Sequence, residues 1–185
     1  MIIKVKIKGV TPLLMAKFSE GDLSQKKVNK NLSPEEMAEK YAYRNENDEL
    51  YIPGICIFSA IIEGGKFSKR GKSRVTTLKS SLIPAGITLL EKECLLGTKT
   101  YEIDKRSTVV PATGGRIMTY RPVFENWEVS FTLEVDEEEF SAAEVKTFVK
   151  DTGIKCGILA FRPSRKGWFG KFEIVEWNIK NKGIK

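Results

Sequence analysis

Histidine is missing altogether from the 185 residues of this chain. That one absence removes Ser–His–Asp and Cys–His catalytic units, His-dependent metal sites and imidazole acid–base chemistry. Cysteine is scarce: Cys56, Cys94 and Cys156 are an odd number with no CxxC pair and no zinc or redox spacing. They are expected as small buried apolar residues in a reducing compartment. No metal and no cofactor is expected. No apolar run approaches the roughly 20 residues that span a bilayer. Lysines at every second position break up the N-terminal segment, so it has no signal-peptide core. The expectation is a cytoplasmic protein with no membrane partner.

What is present is a basic excess: 31 Lys and Arg against 24 Asp and Glu give a net charge of +7, which favours polyanionic partners. The length fits a single domain over residues 1–185, with about 70% of its unfolded surface buried.

The N-terminus reads as a strand. Ile3, Val5 and Ile7 alternate with Lys4, Lys6 and Lys8, one face apolar and the other basic. Residues 17–52 are more polar and read as an insertion, a thumb or finger on the core. Within it Ser33-Pro34-Glu35-Glu36 is a capped helix start, with the helix expected to about Ala42. A hairpin around an Asn/Asp turn is expected over 43–52. Pro53-Gly54 opens an apolar run to Ile62 that reads as a buried helix stopped by Gly64-Gly65. Short strands are expected at 87–90, 100–103, 107–110 and 116–120, the last two forming a hairpin across Pro111–Gly115. Residues 127–135 alternate as a strand with Val129, Phe131, Leu133 and Val135 inward. A helix follows, capped by Ser141 with Glu144 and ended by Gly153. A last strand spans 171–179.

Without the insertion, this order is β-α-β-β-α-β. The expected class is α+β with a ferredoxin-like core, an antiparallel sheet carrying its helices on one face and leaving the other free.

Three basic clusters are candidate nucleic-acid contacts: Lys66, Lys69, Arg70 and Arg74; Lys105, Arg106, Arg116 and Arg121; and Arg162, Arg165 and Lys166. The third lies in Gly153–Phe172, where glycines, basic residues and aromatics interleave. Glycine lets backbone N–H groups approach a phosphate, arginine and lysine neutralise it, and Trp168 or Phe169 can stack on a base. The acidic run Asp136–Glu139 would repel a polyanion and should face away from it.

That glycine-rich loop resembles the C-terminal loop of the RAMP superfamily, the RNA-binding subunits of CRISPR effector complexes. Gly9-Val10-Thr11-Pro12-Leu13-Leu14 is similar to the family's first strand and "T-P-L" turn. Tyr51-Ile52-Pro53-Gly54-Ile55-Cys56-Ile57-Phe58-Ser59-Ala60-Ile61 is similar to the start of its first helix. The three segments cover about forty residues in the family's order. The family's basic residue on that helix is missing: Phe58, Ile62 and Glu63 stand there, and Lys66, Lys69 and Arg70 are the possible substitutes. The chain is therefore expected to be a short, divergent relative encoded by a virus or mobile element.

The resemblance implies an RRM-type domain that binds single-stranded RNA along its backbone; some members of the family cut RNA, and the missing histidine shifts the expectation here to binding without cleavage. Of the loop candidates Asp22, Asp48 and Asp104, none carries a family motif, and no catalytic residue is assigned. Three alternatives stay open: a single-stranded DNA-binding protein of phage replication or recombination, a metal-independent endoribonuclease, and a CRISPR-subunit mimic or self-assembling protein that docks on effector subunits.

Overall fold

In a computed structural model, residues 1–18, 32–109 and 113–180 are described. The polar stretch Gln25–Asn31, Asp22 and the Pro111-Ala112 break lie outside them. The protein is α+β, with antiparallel sheets and few helices.

Alternation builds the main sheet. In β1 (Ile2–Gly9) the side chains of Ile3, Val5 and Ile7 are buried. In β10 (Glu128–Val135) Val129, Phe131, Leu133 and Val135 are buried, as the period of two requires. Ile3 lies opposite Leu133, Val5 opposite Phe131 and Ile7 opposite Val129, so both apolar rows share one face. With β6 (Ile87–Leu89) and β11 (Phe172–Lys180) the order is β11-β1-β10-β6, every pairing antiparallel. The β1–β11 ladder shifts register between Lys6 and Ile7 and leaves Val175 as a bulge.

Two helices cover the apolar face. Helix α2 (Gly54–Gly64) buries Ile57, Ala60 and Ile61. Gly54 is required there because a Cβ would press on Glu91 and Leu89. Helix α4 (Ala142–Asp151) buries Val145, Phe148 and Val149 and starts at a complete Ser141/Glu144 capping box. Its expected stop at Gly153 is corrected: the chain continues as a π-turn, Thr152–Cys156, and ends at Gly157 with φ 69°. Gly153 instead lets the turn lie against Phe172, where a side chain would overlap the strand.

The rest is built around this layer. Helix α1 (Pro34–Glu39) carries the expected Ser33/Glu36 capping box. Asn45 and Glu49 close the turn after it, with Asp48 at φ 64°. The expected hairpin over 43–52 is present as an antiparallel bridge between Arg44 and Leu50, with the Tyr51 N–H donating to the Tyr43 carbonyl at 3.1 Å, and β3 (Tyr51–Pro53) also pairs with β7 (Glu93–Leu95). Ala42, Leu50 and Ile52 sit in the main buried cluster, so the described part of the insertion is packed against the core.

The two short strands expected at 100–103 and 107–110 are one strand, β8 (Glu102–Val109). It pairs with β9 (Arg116–Phe124), which also holds β2 (Leu13–Leu14). A small hairpin, β4 (Lys69–Arg70) with β5 (Ser73–Arg74), turns at Gly71, and a short helix α3 (Ile83–Gly86) leads into β6. No helix among the described residues is long and apolar enough to cross a membrane.

Candidate nucleic-acid interface

The glycine-rich loop, residues 157–171, is zipped along the turn after β1. Val10 N–H donates to the Lys171 carbonyl at 2.8 Å, Gly170 N–H to Pro12 at 2.8 Å and Ala160 N–H to Leu14 at 3.1 Å. The first and last segments of the family resemblance are therefore in contact. Glu63, two residues past the middle segment and at the end of α2, pairs with Arg162 at 3.6 Å and with Lys66 at 3.2 Å. Burial pushes the Glu63 carboxyl up, but hydrogen bonds from Ser164 and Lys66 outweigh it and hold the group below its ordinary value.

The loop's backbone is contorted. Leu159, Phe161 and Lys166 adopt positive φ of 59°, 48° and 61°, a region that disfavours side-chain-bearing residues. Gly167 packs so closely that a Cβ would overlap the Phe161 carbonyl. Arg162 pins the bend by donating to the Leu159 carbonyl at 3.0 Å and Ser164 Oγ at 2.9 Å. Strain of this kind persists where surrounding structure enforces it, often at functional sites.

The β8–β9 hairpin meets this loop through one of its faces. Asp104 lies opposite Arg121 and Arg106 opposite Thr119, so the two arginines share that face. The Arg106 guanidinium sits 4.8 Å from the Phe169 ring centre and 5.8 Å from that of Phe161. Arg121 lies 5.3 Å from Phe161 and 5.8 Å from Tyr41. Such stacking holds a guanidinium plane in place and leaves its edge for a phosphate or carboxylate. Asp104 binds Arg106, raising the guanidinium pKa. Among the described residues Arg121 has no ion-pair partner and its buried Nε has no hydrogen-bond partner, and burial lowers its pKa.

Phe169 is buried with Leu14 and Val123, so its ring supports Arg106 and leaves none of its area for a base. Trp168 leans on it, ring centres 4.8 Å apart, and is 57% exposed, which makes it the stacking candidate of the pair. Arg165 and Lys166 are exposed on the same turn.

The other nominated residues spread out. Lys105 lies on the opposite face of the hairpin, 5.8 Å from the Tyr120 ring, and Arg116 reaches Ser107 near the tip at 3.0 Å. On the β4–β5 hairpin Lys69 and Arg74 are exposed, while Arg70 is bound to Glu139 and stacked 4.6 Å from Phe140. That hairpin lies beside the acidic run. Asp48 is in a turn and paired with Arg44, whereas Asp104 is in a strand and not in a loop.

Tyr41 and Phe161 were not nominated from the sequence. Phe161 precedes Arg162 inside the glycine-rich segment and could have been found there; nothing local marks Tyr41. The free face of the main sheet is exposed but holds no aromatic among the described residues, and two of its lysines are compensated: Lys6 lies 2.8 Å from Glu128 and 4.0 Å from Glu176, and Lys8 4.0 Å from Glu128. The cysteines are buried or half-buried, and burial pushes the Cys94 and Cys156 thiols up to about 12 and about 11.

No family model matches this chain, and no curated protein matches it.

Proposed function

We propose that this is a cytoplasmic, non-catalytic protein that binds single-stranded nucleic acid without strong sequence preference, RNA in favour of DNA. We further propose a ferredoxin-like core of the RAMP type. The core reading is supported by the sheet order β11-β1-β10-β6 and by the chain order β1, α2, β6, β10, α4, β11. The functional reading rests on one observation: arginines of the β8–β9 hairpin stack on rings of the glycine-rich loop, beside an exposed tryptophan. Arg106 and Arg121 of the second basic cluster thus meet the loop that carries the third. Guanidinium edges take phosphates there and Trp168 takes a base, a combination that tolerates any sequence.

The test is fluorescence anisotropy of a labelled single-stranded RNA and its DNA counterpart across a salt series. The triple variant Arg106→Ala, Arg165→Ala, Lys166→Ala should bind about 100-fold more weakly and lower the slope of log affinity against log salt by about 2. Unchanged affinity would overturn the site. Recovering the RNA intact after incubation, with and without magnesium, is the result expected of a binder; cut RNA would replace this reading with an endoribonuclease.

A further inference from the structure

The edge of the main sheet carries a second feature that shares no residue with the arginine–aromatic cluster. Strand β11 is the last in the order, and among the described residues no strand pairs with its outer side. Between this edge and α4 runs a groove of about 480 Å³, within the range of pockets that hold ligands. Its apolar surface comes from Val10, Ile154 and Ile174, and its basic rim from Lys146, Lys150 and Lys171. Val10 and Ile154 are at least half exposed. Lys146 leans over the Trp177 ring at 5.7 Å, and among the described residues no carboxylate forms an ion pair with any of the three lysines. One acid, Glu173, also lines the groove.

Lysines near an edge often only block unwanted pairing, and lysines late in a helix complement its dipole. Neither role explains an apolar surface left open between them. The spacing does suit a ligand. Lys146 and Lys150 are four residues apart on a helix, about 6 Å along its axis. Alternate side chains of an extended strand repeat at about 6.7 Å. A strand laid along β11 can therefore present two acidic side chains in register with the two helical lysines. It would also satisfy the free backbone groups of the edge, which a small anion cannot do. A second copy of this chain fits poorly, because symmetric edge-to-edge pairing sets the same lysines against each other.

We propose that this groove docks an extended acidic segment of a partner protein, added to the sheet as a fifth strand beside β11. Its carboxylates meet Lys146, Lys150 and Lys171, and its aliphatic side chains cover Val10, Ile154 and Ile174. The proposal stands independently of nucleic-acid binding at the other site.

The probe is an end-capped synthetic peptide, Glu-Thr-Glu-Thr-Val-Thr-Val, titrated into the full chain and followed by amide NMR shifts. Shifts confined to β11, α4 and the π-turn are expected. The double variant Lys146→Glu, Lys150→Glu should weaken binding at least about tenfold while single-stranded RNA affinity stays within a factor of about two. Backbone N-methylation gives the sharpest readout, since a paired strand directs alternate amides toward its neighbour. Methylating one alternate set should abolish binding and methylating the other should spare it. Equal tolerance of both sets, equal binding of a peptide with Lys in place of Glu, or no binding would overturn the proposal. So would loss of RNA affinity in the lysine variant, which gives the groove to nucleic acid, or a dimer that this variant dissolves, which gives it to a second copy.

Discussion

Two exposed basic regions of this molecule differ in what surrounds their charges. On the free face of the main sheet, Lys4, Lys6 and Lys8 project in a row, but Glu128, Glu173 and Glu176 stand directly across the neighbouring strands. At the hairpin–loop junction, Arg106 and Arg121 face aromatic rings, with Asp104 the carboxylate bound there. Cross-strand carboxylates satisfy Lys6 and Lys8 in place, whereas at the junction Asp104 holds one edge of Arg106 and the rings orient Arg121, which has no ion pair among the described residues. Basic residues alone therefore do not mark a site; their counter-charges and supports do.

The comparison can be broken at several points. After the triple arginine–lysine variant, the largest effect is expected from Trp168→Ala, which removes the exposed ring and should cost about 2 kcal/mol of RNA binding, roughly 30-fold; calorimetric titration against wild type measures it. Next, Glu128→Gln with Glu176→Gln would strip the sheet lysines of their partners. RNA affinity should rise about fivefold, with a steeper salt dependence, and an unchanged anisotropy titration would show that compensation is not what silences this face. Third, Lys4→Gln, Lys6→Gln, Lys8→Gln should change affinity by less than about twofold, and a loss as large as that of the arginine variant would erase the distinction.

The smallest effect concerns stability. Glu39 accepts from Arg44 at 2.8 Å and from the Tyr101 hydroxyl at 2.6 Å, tying α1 to the segment leading into β8. The Arg44 hydrogen bond, against the cost of burial, holds the Glu39 carboxyl below its ordinary value. A lowered carboxylate contributes stability above the ordinary carboxylate range, and that contribution is lost as pH falls through the lowered value. The group is about half exposed, so Glu39→Gln should cost about 0.5 kcal/mol at neutral pH and nothing in acid. Thermal melts of both proteins across acidic pH would show the two curves converging.

What could be read along the sequence was whatever repeats locally. Ile3-Val5-Ile7 and Val129–Val135 announced their strands by period, and Ser33/Glu36 and Ser141/Glu144 announced helix starts by cap chemistry. Events that depend on distant partners were hidden. The segments at 100–103 and 107–110 look separate because Asp104, Lys105 and Arg106 interrupt the apolar pattern, yet pairing with β9 carries one strand through them. Gly153 looks like a helix stop, but its bare backbone is needed against Phe172 and the turn runs on. At the site, the meeting of hairpin and loop could be guessed from composition. The burial of Phe169 beneath Trp168 and the reach of Tyr41 to Arg121 could not, because each depends on residues far away in sequence.

The three non-glycine residues held at positive φ bear on how this loop could be handled outside its host. Each such residue costs about 1 to 3 kcal/mol, and contacts to Pro12, Leu14 and Glu63 come from elsewhere in the chain. A peptide copied from residues 157–171, or the same stretch grafted onto another scaffold, would relax to ordinary backbone angles and separate Phe161 from Arg162's anchoring bonds. The loop's shape is not portable: it is on loan from the turn after β1 and the end of α2.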